Sequence, residues 1–243
     1  QSIRRLDVTW IGCTSEQVPA DEQAAVRDEL AAKNCVPVFI PPAVMEETEG
    51  IASEVLWPLF HYIPLSMLEA DIDLINKRWE AYSAYNNYFA AAALEAAKPT
   101  DLVWVHDYYL MLLPAMLRER RAHMKIGWFL HTPFPASEIY VTLPMRKEIL
   151  RGVLAANLIG FQIYDYVRHF MTACARVLGT DVSVESTYIL DAYTRTAVTV
   201  DAFPVGIDCA SFEGVLTSAA FKDRVIELQR RFDGKKVLLG TDR

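Results

Sequence analysis

Length, composition and charge limit the class of protein. The chain has 243 residues, of which 52% are hydrophobic, and its formal net charge is −7. A chain of this length and apolar content can bury a large core, which excludes a disordered or fibrous protein. The densest basic cluster, residues 118–121, contains a glutamate and is typical of a solvated helix end, so nucleic acid is not an expected partner.

The cysteines and the apolar runs favour a cytoplasmic protein. The cysteines are scattered without CxxC spacing, which predicts buried, reduced thiols. They are Cys13, Cys35, Cys174 and Cys209. No apolar run reaches the ~18 to 20 residues of a membrane span, and "QSIRRLDVTW" lacks the apolar core of a signal peptide. Residue 1 is not Met and the chain stops at "KKVLLGTDR", so we expect a piece of a longer protein, with no membrane partner.

Short apolar segments alternate with helical patterns along the chain. In chain order, the predicted strands are residues 8–12, 36–40, 102–105, 126–130, 158–161, 196–206 and 236–240. The predicted helices are residues 20–34, 75–98, 164–179 and 221–232. Most of the strands are apolar on both faces, as in the middle of a parallel sheet. The alternation predicts an α/β fold with a Rossmann-like, doubly wound, mainly parallel sheet.

Polar side chains follow two of the predicted strands. His106 and Asp107 follow the strand at 102–105, and His131 follows the strand at 126–130, ahead of a Pro-rich loop. Ligands of doubly wound sheets bind outside the carboxyl ends of the strands. Asp107 at this edge is either a hydroxyl-binding carboxylate, a base or a helix N-cap. His131 is either a ligand contact or a buried histidine bonded to the backbone.

The other candidate residues are aromatic or histidine side chains. Trp57, in "LWPLFHY", has a face that matches a sugar ring, although a lone tryptophan is more often a core residue. His61 and His169 lie in apolar company and are expected to be structural, and His123 is expected at the surface. No GxGxxG, GxxxxGK[ST], HExxH or GxSxG motif occurs, so nicotinamide, P-loop, zinc protease and serine hydrolase chemistry have no support.

Five segments carry a family resemblance. They are "LWPLFHY", "WVHDYYLMLLP", "GWFLHTPFPASEIYVTLPMRKEILRGVLAANLIGFQIYDYVRHF", "FPVGID" and "VLLGTDR". Together they resemble the trehalose-6-phosphate synthase family of glycosyltransferases. The match covers nearly the whole chain in the right order, and its central segment is far longer than a short motif.

The resemblance implies a fold and an activity. Family members are GT-B enzymes with two Rossmann-like domains, which transfer glucose from UDP-glucose to glucose 6-phosphate with retention of configuration and without a metal or other cofactor. The chain would be the N-terminal half, with an acceptor-side domain at 1–206 that lacks its first strand. Residues 207–234 would cross between domains, and 235–243 would begin the donor-side domain. The isolated chain is then expected to be inactive, and its expected protein partners are a second copy or an attached phosphatase domain.

The resemblance also assigns roles to four residues. Asp107 matches the family aspartate that holds the acceptor glucose, and His131 matches the histidine that contacts the transferred glucose. Trp57 matches the tryptophan beside the acceptor sugar, and Arg243 matches the arginine that neutralises the UDP phosphates. In the retaining mechanism the departing phosphate takes the acceptor proton, so Asp107 is implied to position the acceptor more than to act as a base.

The chain departs from the family pattern at three positions. Cys13, Thr48 and Tyr109 stand where relatives usually have tryptophan, tyrosine and histidine. These departures support an alternative, a non-catalytic domain that senses a sugar phosphate or regulates an attached enzyme. A third hypothesis, a different GT-B enzyme such as a glucan synthase, explains the sheet but not the continuous match over residues 126–170.

Overall fold

The computed structural model describes residues 7–14, 16–67, 71–183, 187–190 and 197–240. The chain forms two units. The first is Asp7–Pro204, and the second contains Val205–Arg243. The first unit carries both sheets and all the candidate site residues that the structure describes.

The strands of the first unit form two sheets. They are β1 (Trp10–Cys13), β2 (Cys35–Val38), β3 (Leu102–His106), β4 (Lys125–Phe129), β5 (Leu158–Phe161), β6 (Asp181–Ser183), β7 (Tyr188–Leu190) and β8 (Ala197–Ala202). Strands β1 and β2 pair in parallel, and the second sheet has the order β3-β4-β5-β8-β7-β6. Strands β3, β4, β5 and β8 are parallel, whereas β7 is antiparallel to both β8 and β6. The predicted α/β fold with a mainly parallel sheet is confirmed.

The described residues form ten α-helices. They are α1 (Gln23–Ala31), α2 (Pro42–Ile51), α3 (Trp57–Phe60), α4 (Ile72–Ala96), α5 (Leu113–Arg120), α6 (Ser137–Tyr140), α7 (Arg146–Leu154), α8 (Tyr164–Leu178), α9 (Cys209–Thr217) and α10 (Ala219–Arg231). The four that were predicted, α1, α4, α8 and α10, begin and end within three residues of the predicted positions. Helix α4 begins at Asp71, whose carboxylate accepts from the amides of Asp73 and Leu74, and α8 ends at Gly179, which adopts the left-handed conformation at φ 70° that glycine favours.

The segment from α2 to α3 is helical, although sequence analysis predicted no helix there. A π-helical turn at Ala52–Leu56 joins the two α-helices. Its last bond runs from the Trp57 amide to the Ala52 carbonyl, and Pro58 then follows without an amide to donate. The turn therefore widens the helix immediately before Trp57, and π-turns of this kind are frequent at functional sites.

Helix α4 links the two sheets of the first unit. It contacts β1 and β2, and it also contacts α5 and the turn at Tyr108–Leu110. Its Tyr82 and Asn86 side chains are completely buried. A long helix with buried polar groups thus reaches the segment that follows β3.

The basic cluster at 118–121 is not simply a solvated helix end. Helix α5 does end there, but Arg118 donates to the carbonyls of Ala122, Met124 and Ala155. Arg121 donates to the carbonyl of Ala97 at 2.6 Å. These guanidinium groups satisfy backbone oxygens at the ends of neighbouring elements, which corrects the prediction of a solvated cluster.

The cysteines are reduced, as predicted, but only some are buried. None forms a disulfide; Cys174 is buried, Cys35 is partly buried, and Cys13 and Cys209 are exposed. Cys13 ends the strand β1 and Cys209 is the first residue of α9, positions where an element meets solvent. Among the described residues, no helix is both long and apolar enough to cross a membrane.

The strand predicted at 236–240 is absent. These residues adopt no regular secondary structure. A strand needs a neighbour to receive its backbone hydrogen bonds, and the described part of the chain provides none for this segment. The larger unit ends at Pro204, and the domain boundaries at 206 and 234 stay predictions.

Helix α7 packs closely against the segment after β3 because Gly152 has no side chain. A Cβ atom at this position would lie 2.4 Å from the Met111 carbonyl oxygen and 3.1 Å from the Leu112 Cα. Both obstacles are backbone atoms, so a larger residue would have to move the helix or the segment that follows Asp107.

We expect Gly152→Ala to lower the free energy of unfolding by about 1–3 kcal/mol, since an added methyl group forces backbone shifts in a packed core. Urea denaturation measures the change. Gly12→Ala is the control, because a Cβ there meets nothing within 4 Å, and we expect it to stay within about 0.5 kcal/mol of the parent. Equal losses in the two variants would contradict the close packing at Gly152.

Candidate functional site

The carboxyl ends of β3 and β4 bring the predicted polar residues together. The two strands are parallel neighbours, and His106 pairs with Phe129 at their ends. The Asp107 amide continues the pairing, since it donates to the Phe129 carbonyl at 2.7 Å. His131 follows two residues beyond Phe129. The predicted convergence of His106, Asp107 and His131 at one edge of the sheet is confirmed.

The two histidines of this edge touch. Nδ1 of His106 lies 3.1 Å from Nε2 of His131, and the ring centroids are 5.3 Å apart with an angle of 26° between the ring planes. The Trp104 ring packs at 4.6 Å from the His106 ring. Burial, followed by the neighbouring His131, lowers the pKa of His106. The neutral form of His106 is therefore favoured, while His131 is exposed and open to a ligand.

The backbone of Asp107 is strained. Its φ of 66° and ψ of −178° fall in a region that is essentially restricted to glycine and costs about 1–3 kcal/mol for other residues. Three hydrogen bonds hold it there. Its amide donates to Phe129, its carbonyl accepts from Nε1 of Trp128 at 3.2 Å, and its carboxylate accepts from the Tyr108 amide at 3.0 Å. Strain of this kind is typical of residues held in place for function.

The Asp107 carboxylate is partly buried. Desolvation raises its pKa, against the opposing effects of the Tyr108 amide and of His131. The carboxylate also caps the short 3₁₀ turn at Tyr108–Leu110. The prediction that Asp107 could be an N-cap residue is therefore confirmed. Capping alone does not explain the positive φ, because N-cap residues usually adopt the extended β region.

Two buried side chains of α4 hold the segment after Asp107. The Tyr82 hydroxyl donates to the Tyr108 carbonyl at 2.6 Å and accepts from the Met111 amide at 3.1 Å. Asn86 donates to the Tyr109 carbonyl at 3.0 Å, and its amide oxygen accepts from the backbone amide of residue 112 at 3.2 Å. Sequence analysis missed both residues. The available signal was two polar groups spaced four apart in an Ala-rich helix, since buried polar groups are normally hydrogen-bonded.

Trp57 is not a core residue. Its side chain is 44% exposed, and its ring stacks on His61 with centroids 3.9 Å apart. The preceding π-turn contacts the turn at Tyr108–Leu110, and Phe60, one helical turn after Trp57, packs edge-on against Tyr108 at 6.0 Å. The helix that presents Trp57 is therefore fixed to the segment after Asp107, and stacking on a sugar stays a prediction.

The remaining candidate residues are two histidines and an arginine. The His169 Nδ1–H donates to the Phe134 carbonyl at 3.0 Å, as expected of a structural histidine, and His123 is exposed. Arg243 lies outside the described residues. Within the described ranges, no group of three or more His, Cys, Asp or Glu residues is placed to hold a metal ion.

Two of the three departures from the family pattern lie in one connected cluster. The Cys13 thiol is 3.6 Å from the Tyr85 hydroxyl, and the Tyr85 and Tyr109 rings are 6.4 Å apart. The Tyr109 hydroxyl donates to the Glu49 carboxylate at 2.8 Å. Burial, followed by the bond to Glu49, raises the pKa of Tyr109. The residues at positions 13 and 109 are thus linked through Tyr85.

The third departure, Thr48, is completely buried. Its hydroxyl has no hydrogen-bond partner within the part of the chain that the structure describes. A buried hydroxyl of this kind costs about 1–3 kcal/mol when it is unsatisfied. On α2, Thr48 directly precedes Glu49, whose carboxylate is the partner of Tyr109.

Comparison with known proteins identifies relatives along the whole chain. The model of glycosyltransferase family 20 matches residues 1–243. The chain is 42% identical over 236 residues to α,α-trehalose-phosphate synthase (UDP-forming) A of Dictyostelium discoideum, which covers 96% of this chain and 31% of that protein. It is 42% identical over 240 residues to the corresponding synthase of Schizosaccharomyces pombe, covering 96% and 45%. The chain thus spans less than half the length of either relative.

Solved structures share the fold. The N-terminal domain of Candida albicans trehalose-6-phosphate phosphatase has a TM-score of 0.78 and 34% identity, covering 93% of this chain and 47% of that chain. A Burkholderia vietnamiensis α,α-trehalose-phosphate synthase (UDP-forming) has a TM-score of 0.77 and 23% identity, covering 97% and 52%. An E. coli structure bound with UDP-2-fluoro glucose has a TM-score of 0.72 and 21% identity, covering 93% and 54%.

The strain at Asp107 predicts an unusual order of stability. We expect Asp107→Gly to be more stable than Asp107→Ala by about 0.5–2 kcal/mol, because glycine removes strain of about 1–3 kcal/mol and gives back about 0.5–1 kcal/mol of chain entropy. Both variants lack the carboxylate, so denaturant unfolding isolates the backbone effect. The same pair at Asp101, whose φ is ordinary, should show alanine as the more stable. If alanine were the more stable variant at both positions, strain at Asp107 would be ruled out.

The buried carboxylate predicts a pH-dependent stability difference. The raised pKa of Asp107 means that the folded chain holds this proton more tightly than the unfolded chain does, so its stabilising effect is present below the unfolded pKa and is lost as pH rises through the folded pKa. We therefore expect Asp107→Asn to gain stability relative to the parent as pH rises from about 4 to about 7.5. Parallel urea titrations of the parent and the variant measure the difference. A stability difference in favour of Asp107→Asn that shrinks with rising pH would contradict the raised pKa of Asp107.

Proposed function

Because the chain belongs to glycosyltransferase family 20, we propose that it is the acceptor-side part of an enzyme that transfers glucose from UDP-glucose to glucose 6-phosphate. The products would be trehalose 6-phosphate and UDP. The observation that carries the proposal is the strained Asp107 beside His131 at the ends of adjacent strands. Support comes from relatives that are named UDP-forming synthases at 42% identity.

Asp107 has the properties of a residue that positions an acceptor. Its carboxylate is partly buried, and hydrogen bonds from sugar hydroxyls to an ionised group are stronger where water is excluded. Its backbone is fixed by three hydrogen bonds, so a bound hydroxyl would be held in one place. Fixing the reacting hydroxyl contributes to the rate because it removes the entropic cost of finding the right geometry.

Trp57 and His131 would complete the sugar contacts. The exposed Trp57 ring offers a flat apolar face, which suits the C–H face of a pyranose. The exposed imidazole of His131 offers one ring nitrogen to the transferred glucose. These roles follow the match of each residue to the family pattern.

The leaving UDP needs positive charge, because negative charge develops on the phosphate as the glycosidic bond breaks. The family match assigns this task to Arg243 and to residues of the donor-side domain. Cationic side chains make a metal ion unnecessary in the proposed reaction. We place the enzyme in the cytoplasm, where unpaired cysteines such as Cys13 and Cys209 remain reduced.

The test is UDP release from UDP-glucose by the whole protein that carries this chain, with and without glucose 6-phosphate. We expect release to require the acceptor, to persist in EDTA, and to fall at least about tenfold in Asp107→Ala because the acceptor is no longer positioned. Asp101→Ala removes an exposed carboxylate just before β3 and should leave turnover unchanged.

Two results would overturn parts of the proposal. Near-normal turnover of Asp107→Ala would remove Asp107 from its role. A well-folded parent protein without acceptor-dependent release would instead favour the regulatory alternative, in which the departures at Cys13, Thr48 and Tyr109 adapt the site for binding without transfer.

A further inference from the structure

The contact between His106 and His131 restricts where their protons can lie. Nδ1 of His106 and Nε2 of His131 are 3.1 Å apart, so one nitrogen donates and the other accepts. A neutral imidazole carries one N–H and one acceptor nitrogen. The bond therefore permits only two neutral arrangements of the pair. In one arrangement the second nitrogen of His131 is a hydrogen-bond acceptor for a ligand, and in the other it is a donor.

The surroundings of the two rings differ. His106 is partly buried, lies at the end of a hydrogen-bonded strand and packs against Trp104. His131 is exposed in the loop after β4, with the edge of Phe129 at 4.7 Å and the Asp107 carboxylate nearby. Desolvation disfavours charge on His106, whereas His131 has water and a carboxylate beside it.

This asymmetry selects one arrangement of the protons. Because burial disfavours the charged form of His106, this ring keeps one nitrogen without a proton, and Nδ1 at 3.1 Å from His131 can be that nitrogen. A proton on Nε2 of His131 then completes the hydrogen bond without placing charge on the more buried ring.

We propose that His106 is a positioning residue, whose Nδ1 accepts from Nε2–H of His131 and so presents His131 Nδ1 to the bound sugar as a hydrogen-bond acceptor. The neutral His131 would then take a hydrogen bond from a sugar hydroxyl. The choice of a sugar as ligand rests on the proposed function. The hydrogen bond rests on the distance between the two nitrogens, and the tautomer rests on the burial of His106 beside the exposed His131.

Loss of the His106 nitrogen should free the His131 ring to rotate and to change tautomer. Removal of a partner that orients a ligand-binding histidine costs about 10–100-fold at metal sites, and we expect about a tenfold loss in kcat/KM for UDP-glucose here. The KM for glucose 6-phosphate should stay nearly unchanged, since Asp107 and Trp57 are intact. A purely structural role of His106 would not separate the two substrates in this way.

The variants are His106→Phe and His106→Asn. Phenylalanine keeps an aromatic ring against Trp104 but has no nitrogen, whereas the asparagine side-chain oxygen can accept a hydrogen bond near the place of Nδ1. We expect His106→Asn to recover most of the activity that His106→Phe loses. His123→Phe is the matched control, because His123 is exposed and lies outside the site.

Ring protons are not defined by heavy-atom positions, so the direct readout is ¹H–¹⁵N correlation spectroscopy of the five histidines in the ¹⁵N-histidine-labelled chain. We expect the protonated nitrogen of neutral His131 to be Nε2 in the parent, and an average of both tautomers in His106→Phe. Unchanged His169 signals, which report the bond to Phe134, would show that the variant is folded.

The possible results test the tautomer, the positioning role and the proposed function separately. A proton on Nδ1 of neutral His131, or mixed tautomers in the parent, would overturn the proposal whatever the activity. A tautomer change in His106→Phe without the loss in kcat/KM for UDP-glucose would overturn the positioning role. The expected spectra in a whole protein that releases no UDP would leave the hydrogen bond established and reject the proposed function instead.

Discussion

The parallel pairing of β3 with β4 governs the geometry of the site. The register sets His106 beside Phe129, and the bond from the Asp107 amide to the Phe129 carbonyl extends the pairing one residue beyond the strand. That bond brings Asp107 next to the loop that carries His131. Because the polar groups follow the ends of both strands at one edge of the sheet, a slip of one residue would separate them and move the side chains of the slipped strand to the opposite face.

Holding Asp107 in this position has an energetic cost that other contacts offset. A conformation that suits glycine and a partly buried carboxylate each oppose folding. Tyr82 and Asn86 stabilise the following segment through buried hydrogen bonds, and Gly152 lets α7 approach it closely. The stabilising contacts thus surround Asp107, whose own conformation is unfavourable. This is expected where function requires a carboxylate in one fixed position.

The sequence could predict the features that follow from local patterns. Apolar runs identified the parallel strands, and the rule for strand ends located Asp107 and His131. The helical segment around Trp57 carries apolar residues at helical spacing, at positions 44, 51, 55 and 59, so this helix had a signal that the predicted elements left out. Strands β6 and β7 have only three residues each, too few to show alternation. The hydrogen-bond partners of Tyr82, at Tyr108 and Met111, lie far from it in the sequence, and no local pattern identifies them.

The cluster that links Cys13 to Tyr109 changes how the departures from the family pattern should be interpreted. Tyr85 contacts both side chains, and residues in contact usually have non-additive effects. The side chains at positions 13 and 109 therefore belong to one cluster rather than to two separate places in the fold. The Glu49 carboxylate accepts a hydrogen bond from the Tyr109 hydroxyl. A tyrosine at this position can therefore bind the neighbouring carboxylate in place of the histidine expected from the family pattern. For this reason the departures alone are weak evidence against catalysis, whereas the backbone strain of Asp107 independently supports a functional site.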